Sequence, residues 1–328
     1  MTGKMDDATQ SAITDVMDAL DRLDTAASVG SATVSGHEIF AAALLASTEA
    51  ENLRGLAPSV LAEEATAALA FLSRKPLGTH KVAVRASKLA GAGVPGNLTA
   101  LEILNDDMPF LFDSVLAEIQ ARGHRIHLAL HPIFKTSRSA DGKLNVITAP
   151  SDRTWDDGRQ ESYIAIHMER LPEAEGLDLV QAVSAILDEV RLAVRDWKPM
   201  LARTARAIRE LEAAPPGVPR DQLAEAVQFL KWLENGNFTF LGARDLKLAG
   251  DAETGELELV PEAGLGLLRD AQAQVLRRGN ELVSMTPEVR RFFFSPNPLI
   301  IAKANAVSRV HRRVHMDYIG VKLCGDCV

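Results

Sequence analysis

Three histidines, two cysteines, a glycine pair and a run of acids hold the residue types that could do chemistry in this 328-residue chain. His127 and His131 lie on one predicted strand and His167 on another, and alternation turns all three the same way. Imidazoles so placed could bind zinc. No fourth ligand is suggested, so the reading is a polar sheet face. Cys324-Gly325-Asp326-Cys327 has the spacing of a redox or metal pair, yet no second pair accompanies it, and a turn holding two cysteines fits better. Gly264-Leu265-Gly266-Leu267-Leu268-Arg269 resembles half of a dinucleotide fingerprint. Its third glycine and a surrounding βαβ unit are missing. No P-loop and no Gly-x-Ser-x-Gly elbow occurs, and nothing in the Ser, His and Asp spacing selects a triad. No catalytic, cofactor-binding or metal-binding residue is assigned.

The acidic run is more informative. Asn105, Asp106, Asp107, Met108, Pro109 and Phe110 follow an apolar strand and lead straight into a helix. Such a corner brings backbone N–H groups and carboxylates together at a helix start, where small ligands dock. These six residues are the candidate ligand-binding set. Their local role is to cap the helix: Asp107 accepts a backbone bond and Pro109 presets the first turn.

The elements that must position this corner can be read from periodicity. Residues 1–75 look helical, with Val16, Leu20 and Leu23, then Phe40 to Leu45, then Val60 to Leu72. Strands are expected at Lys81 to Val84 and Leu98 to Leu104. Leu111, Phe112, Val115, Leu116 and Ile119 form a helical stripe between Met108 and Arg122. One alternating strand then runs from His124 to Lys135, with Ile126, Leu128 and Leu130 on one face. Asp141-Gly142 is a hairpin turn before a short strand at Leu144 to Ile147. Ser162 to Arg170 alternates again. Val183, Leu187, Val190, Val194 and Trp197 mark a long helix, with Pro199 as a kink or restart. Pro215, Pro216, Gly217 and Pro219 read as a linker. A second unit follows: a helix through Leu223, Val227, Leu230 and Leu233 that Gly236 stops, then strands at Phe238 to Leu248, Leu257 to Val260, Leu299 to Ala302 and Val314 to Leu323.

The expected class is α+β. A helical segment (1–75) precedes a ferredoxin-like βαββα domain that ends in the long helix (76–212), and a second, incomplete α/β unit (213–328) follows. The last strand of the ferredoxin-like pattern is not obvious, and Lys81 to Val84 is the segment that could supply it. The chain reads as truncated at Val328.

Composition bounds the partners. Hydrophobic residues make up 47% and charged residues 24%, ordinary for a folded cytoplasmic protein. A net charge of −8 gives no positive field for nucleic acid. No apolar run nears the ~18 residues of a membrane span, and no secretory signal is visible. Two cysteines exclude a disulfide framework.

Beyond periodicity, the run Asn105-Asp-Asp-Met-Pro-Phe-Leu-Phe-Asp-Ser-Val115 resembles the N-terminal region of the large bacterial NAD-specific glutamate dehydrogenases. So do Ile126-His-Leu-Ala-Leu-His-Pro132, Val194-Arg-Asp-Trp-Lys-Pro-Met200, Phe229-Leu-Lys-Trp-Leu-Glu-Asn-Gly236, Gly264-Leu-Gly-Leu-Leu-Arg269, Ile301-Ala-Lys-Ala-Asn305 and Met316-Asp-Tyr-Ile-Gly-Val-Lys322, in the same order. The likeness runs from about residue 75 to 323. It implies ACT-like and PAS-like modules ahead of a distant catalytic domain. The parent would oxidise L-glutamate to 2-oxoglutarate and ammonia with NAD, and this stretch would hold no cofactor. Its partners would be the rest of the parent chain, other subunits of a homo-oligomer and a small-molecule effector. ACT modules bind amino acids at a corner of the form Asp-x-Pro-Gly. Asp107-Met108-Pro109 fits that form, while Phe110 stands at the glycine position, where its side chain obstructs close approach to the backbone. The resemblance therefore implies a regulatory or oligomerisation segment, with an amino-acid-sensing module as the alternative.

Overall fold

The computed structural model describes residues 11, 13–19, 34–53, 55–91, 94–150, 158–213, 218–249, 256–260, 262–270, 295 and 297–323. Leu20, Leu23, Pro215, Pro216, Gly217, Cys324 and Cys327 lie outside them. The chain divides into two compact units, one of Met1–Met108 with Glu118–Leu187 and the other of Pro109–Ala117 with Asp188–Val328. In order, the elements are α1 (Val34–Ala46), α2 (Ala50–Leu53), α3 (Pro58–Leu72), β1 (Lys81–Ala86), β2 (Leu98–Asp106), α4 (Leu111–Ala121), β3 (Ile126–Leu130), β4 (Ile133–Arg138), β5 (Leu144–Thr148), β6 (Arg159–Glu169), α5 (Glu173–Arg195), α6 (Trp197–Glu212) and α7 (Arg220–Trp232). Short strands β7 (Gly242–Ala243), β8 (Leu246–Ala249), β9 (Glu256–Leu259) and β10 (Leu265–Gly266) follow, and then β11 (Leu299–Val307) and β12 (His315–Val321). No described helix is long and apolar enough to cross a membrane.

The first unit is built on one antiparallel sheet in the order β1-β2-β6-β4-β5, with β3 also paired to β6. β2 and β3 flank β6, so β2-α4-β3 is a split β-α-β unit. β1 lies antiparallel on the outer side of β2. That is the place of the missing ferredoxin-like strand, and it is filled by a segment that precedes β2 in the chain. The structure is the expected ACT-like α+β fold.

Expected and observed elements differ at two points here. The predicted strand from His124 to Lys135 is two strands, because Pro132 has no N–H to give the ladder. The predicted helix from Met108 starts only at Leu111, since Phe110 has a left-handed φ of 74°. Further along, the predicted strand Phe238 to Leu248 is broken into β7 and β8. Pro199 falls in the first turn of a new helix, where proline is tolerated.

β2 and β6 are buried on both faces. One face carries Leu104, Tyr163 and Ala165, which pack with Leu128, Leu130 and Phe134 against Phe40 and Leu44 of α1 and Leu61, Ala65 and Leu72 of α3. The other carries Leu101, Ile103, Ile164, Ile166 and Met168. Its cover includes α5, whose Gly176 comes so close that a Cβ there would stand 3.0 Å from Val84 Cγ2.

Buried charge specifies the helical face. Arg85 on β1 is held between Glu64 of α3 and Glu102 of β2, bonding Glu102 Oε2 at 2.8 Å. Tyr163 Oη donates to Glu102 at 2.7 Å, and the Lys88 N–H donates to Glu64 at 3.0 Å. Burial works against the Glu64 carboxylate, but Arg85 and the Lys88 N–H outweigh it and lower its pKa. His167 is fully buried beside this group, 2.9 Å from Ser87 Oγ and 3.9 Å from Glu64. Burial is the main cause that pushes its pKa down to about 4, with Glu64 opposing.

His167 therefore stays neutral in the fold at a pH where the unfolded imidazole takes a proton. The stability this gives is present above pH ~6.5 and is lost as pH falls through that value toward about 4. Urea unfolding of the wild type should show a rise of about 2–3 kcal/mol across that window. His167→Gln should remove most of the slope. An equal slope in both proteins would contradict the assignment.

Candidate functional site: the acidic corner

Asn105 and Asp106 end β2, opposite Ser162 and Glu161 of β6. Asn105 is fully buried. Asp106 Oδ1 accepts from Lys75 Nζ at 2.7 Å, and the buried lysine stands 3.1 Å from Glu161. Arg138 binds the same Glu161 at 2.8 Å and donates to the carbonyls of Leu72 and Gly142. Two buried cations thus hold two carboxylates under the end of α3, and each ion has a partner.

Asp107 is used differently. Its N–H donates to Gln160 O at 2.9 Å, which extends the ladder. Its Oδ1 accepts from Ser162 Oγ at 2.8 Å, and Ser162 Oγ lies 2.9 Å from His131 Nε2. The hydroxyl has one proton, and it goes to the carboxylate, so His131 must donate from Nε2. The serine stands between acid and histidine, whereas a hydrolytic triad has the histidine in the middle. Ser162 is also fully buried, so no substrate reaches its oxygen. The expected capping role of Asp107 is not met: the residue before α4 is Phe110, and the aspartate faces Ser162. Met108 is half-buried and Pro109 exposed.

In the second unit, Phe110 opens the first turn of α4. Its carbonyl accepts from the Ser114 N–H at 3.1 Å and from Ser114 Oγ at 2.5 Å. A non-glycine residue in left-handed conformation costs about 1–2 kcal/mol. Phe110 thus keeps the backbone form that a glycine would adopt at this position of the corner. Its ring lies 4.9 Å from that of His311.

The three histidines do not converge. A register shift between Ile126 and Leu128 brings Leu128 opposite His167. His167 shares a face with Leu128 and Leu130, and His127 falls in the irregularity with no partner in the ladder. His131 is tied to Ser162. Among the described residues no His, Cys, Asp and Glu cluster is suited to a metal.

The glycine pair near Gly264 has a structural explanation. Gly266 has a φ of 56°, and a Cβ there would stand 2.3 Å from Leu241 O. Its N–H donates to Asp196 Oδ2 at 2.8 Å, and Arg269 binds both oxygens of the same carboxylate. Arg269 is the chief cause that holds the Asp196 pKa down, at about 2. The motif binds an aspartate of its own chain between α5 and α6. The second unit also contains a cavity of about 1010 Å³ lined by Leu230, Phe238, Phe240, Arg203, Arg206 and Arg244. These arginines are committed already, two to Asp245 and one to the carbonyls of Leu268 and Asp270.

Residues 40–183 match the family described as glutamate dehydrogenase, ACT1 domain. The NAD-specific glutamate dehydrogenase of Pseudomonas aeruginosa is 34% identical over 227 residues, 68% of this chain. That of Halomonas elongata is 33% identical over 70% of it. The chain belongs to the N-terminal region of the large NAD-specific glutamate dehydrogenase family. The protein of that name from Mycobacterium tuberculosis is 26% identical over 204 residues. The chain spans only 14% of the length of the first two relatives. The ACT1 match covers the six-stranded sheet, α3 and the part of α1 from residue 40 onward.

The corner is legible in the sequence, but the side chains that occupy it are not. Lys75 and Arg138 carry no periodic or motif signal, and the strand pattern at Ser162 does not show its bond to Asp107. Only Ser114, four residues after Phe110, sat where a helical back-bond could be foreseen.

Ser162→Ala would leave His131 Nε2 and Asp107 Oδ1 without their shared partner. The loss should be about 1–3 kcal/mol of stability in the sheet unit, read from the urea midpoint. An unchanged midpoint would show that the Asp107 contact contributes nothing.

Proposed function

We propose that this chain is a non-catalytic regulatory and oligomerisation segment of a large NAD-dependent glutamate dehydrogenase. The parent reaction would convert L-glutamate, NAD and water to 2-oxoglutarate, ammonia and NADH, in the cytoplasm, with NAD bound elsewhere in the parent. The observation that carries the reading is the occupancy of the corner. Asp106 is bound to Lys75, Asp107 to Ser162 and Phe110 to His311. Charged and polar groups committed in this way serve packing more readily than a soluble ligand. The partners are the rest of the parent chain and other subunits.

A second reading, an amino-acid-sensing ACT module, is favoured by Phe110, which keeps a left-handed φ at the glycine position after Asp107-Met108-Pro109. Control by an effector would need two states of different affinity for it.

One comparison tests both. A parent enzyme without this segment should still form NADH from glutamate but sediment as a smaller assembly, while the segment alone forms none. Assembly of unchanged size would sink the oligomerisation role. Calorimetry of the chain against a panel of amino acids should show no heat under the leading reading, and saturable heat would move the assignment to sensing.

A further inference from the structure

Residues 308–314, which join β11 to β12, are seated on the first turn of α4. The His311 N–H donates to Ser114 Oγ at 2.8 Å, and the His311 ring packs on Phe110. His311 Nδ1 lies 3.5 Å from Asp113 Oδ2. Val310 is buried, and Arg309 forms an ion pair with Glu189 of α5. The remainder of the segment faces solvent: Arg312, Arg313 and Val314 are exposed.

The segment holds itself together. The Ser308 N–H donates to Val314 O at 2.9 Å and closes its base. Ser308 Oγ donates to Val310 O, and the Val310 N–H donates back to it. The Arg312 N–H donates to Val310 O and the Val314 N–H to Arg312 O. A loop bonded in this way moves as one piece.

Strain is concentrated where it meets the helix. Phe110 and His311 face each other across the contact, and both have left-handed φ, 74° and 65°. Neither is glycine, so each conformation persists only while its surroundings impose it. Release of the contact lets both residues relax. Ser114 is the pivot, since its hydroxyl accepts from His311 and donates to Phe110.

We propose that residues 308–314 are a strap that docks on and releases from the first turn of α4 as a unit, with Phe110, Ser114 and His311 as its catch. When docked, the strap holds Phe110 left-handed and fixes the start of α4 at Leu111. When released, it frees Phe110 to take ordinary backbone angles. The strap is a two-state element of the second unit that sets the backbone at Phe110. Its use in regulation rests on the reading above, but its existence does not, and the two are tested by different readouts.

Hydrogen–deuterium exchange of the whole chain tests it. In Ser114→Ala the amides of 308–314 should exchange together, about tenfold faster than in the wild type. Amides in the β2–β6 and β11–β12 ladders should keep their rates. Ser114→Thr, which retains the hydroxyl, should restore slow exchange. Unchanged rates in 308–314 would overturn the proposal. So would equal acceleration of the β11–β12 ladder, because the segment would then open only with its unit.

Discussion

Arg85 lies between two buried carboxylates, and the first unit depends on that arrangement. Glu64 comes from α3, Glu102 from β2 and Arg85 from β1. The ions join a helix, an outer strand and a central strand that follow one another in the chain. Removing one member would strand a charge in the interior, at a cost of about 3–5 kcal/mol. Apolar contacts alone would hold α3 on the sheet but leave it free to shift along its face. The ion cluster at one end and the Lys75, Asp106, Glu161 and Arg138 cluster at the other define where it sits.

The same arrangement explains how the sheet is completed. The ferredoxin-like order needs a strand outside β2, and the chain supplies it before β2. β1 is short and only half-buried. Arg85 and the Val84–Gly176 contact hold it from opposite faces. The helices that precede β1 are therefore part of the sheet domain's core, and the ACT1 match begins at residue 40, within α1.

Much of this was legible in the sequence. The alternation in 162–170 and the stripe at Leu111, Val115 and Ile119 gave the right elements, because burial on a fixed period leaves a plain trace. Lys81 to Val84 was legible as a strand and as a candidate for the missing place. The faces of the histidines were not legible, since one register shift near His127 reverses them. The start of α4 was missed because its left-handed residue is Phe110, a type that carries no turn signal. Asp107 was assigned to a helix cap by local rules, yet its partner, Ser162, is 55 residues away. Long-range hydrogen bonds of this kind have no sequence period.

The central claim is that the N-terminal helices and β1 are integral to the ACT-like sheet. The most direct measurement compares urea unfolding of the chain with that of a version starting at Ser87. The account predicts that the shortened chain loses its cooperative transition and exposes the apolar face of Leu104, Tyr163 and Phe134 to a hydrophobic dye. A shortened chain that unfolds cooperatively at an unchanged urea midpoint would contradict it.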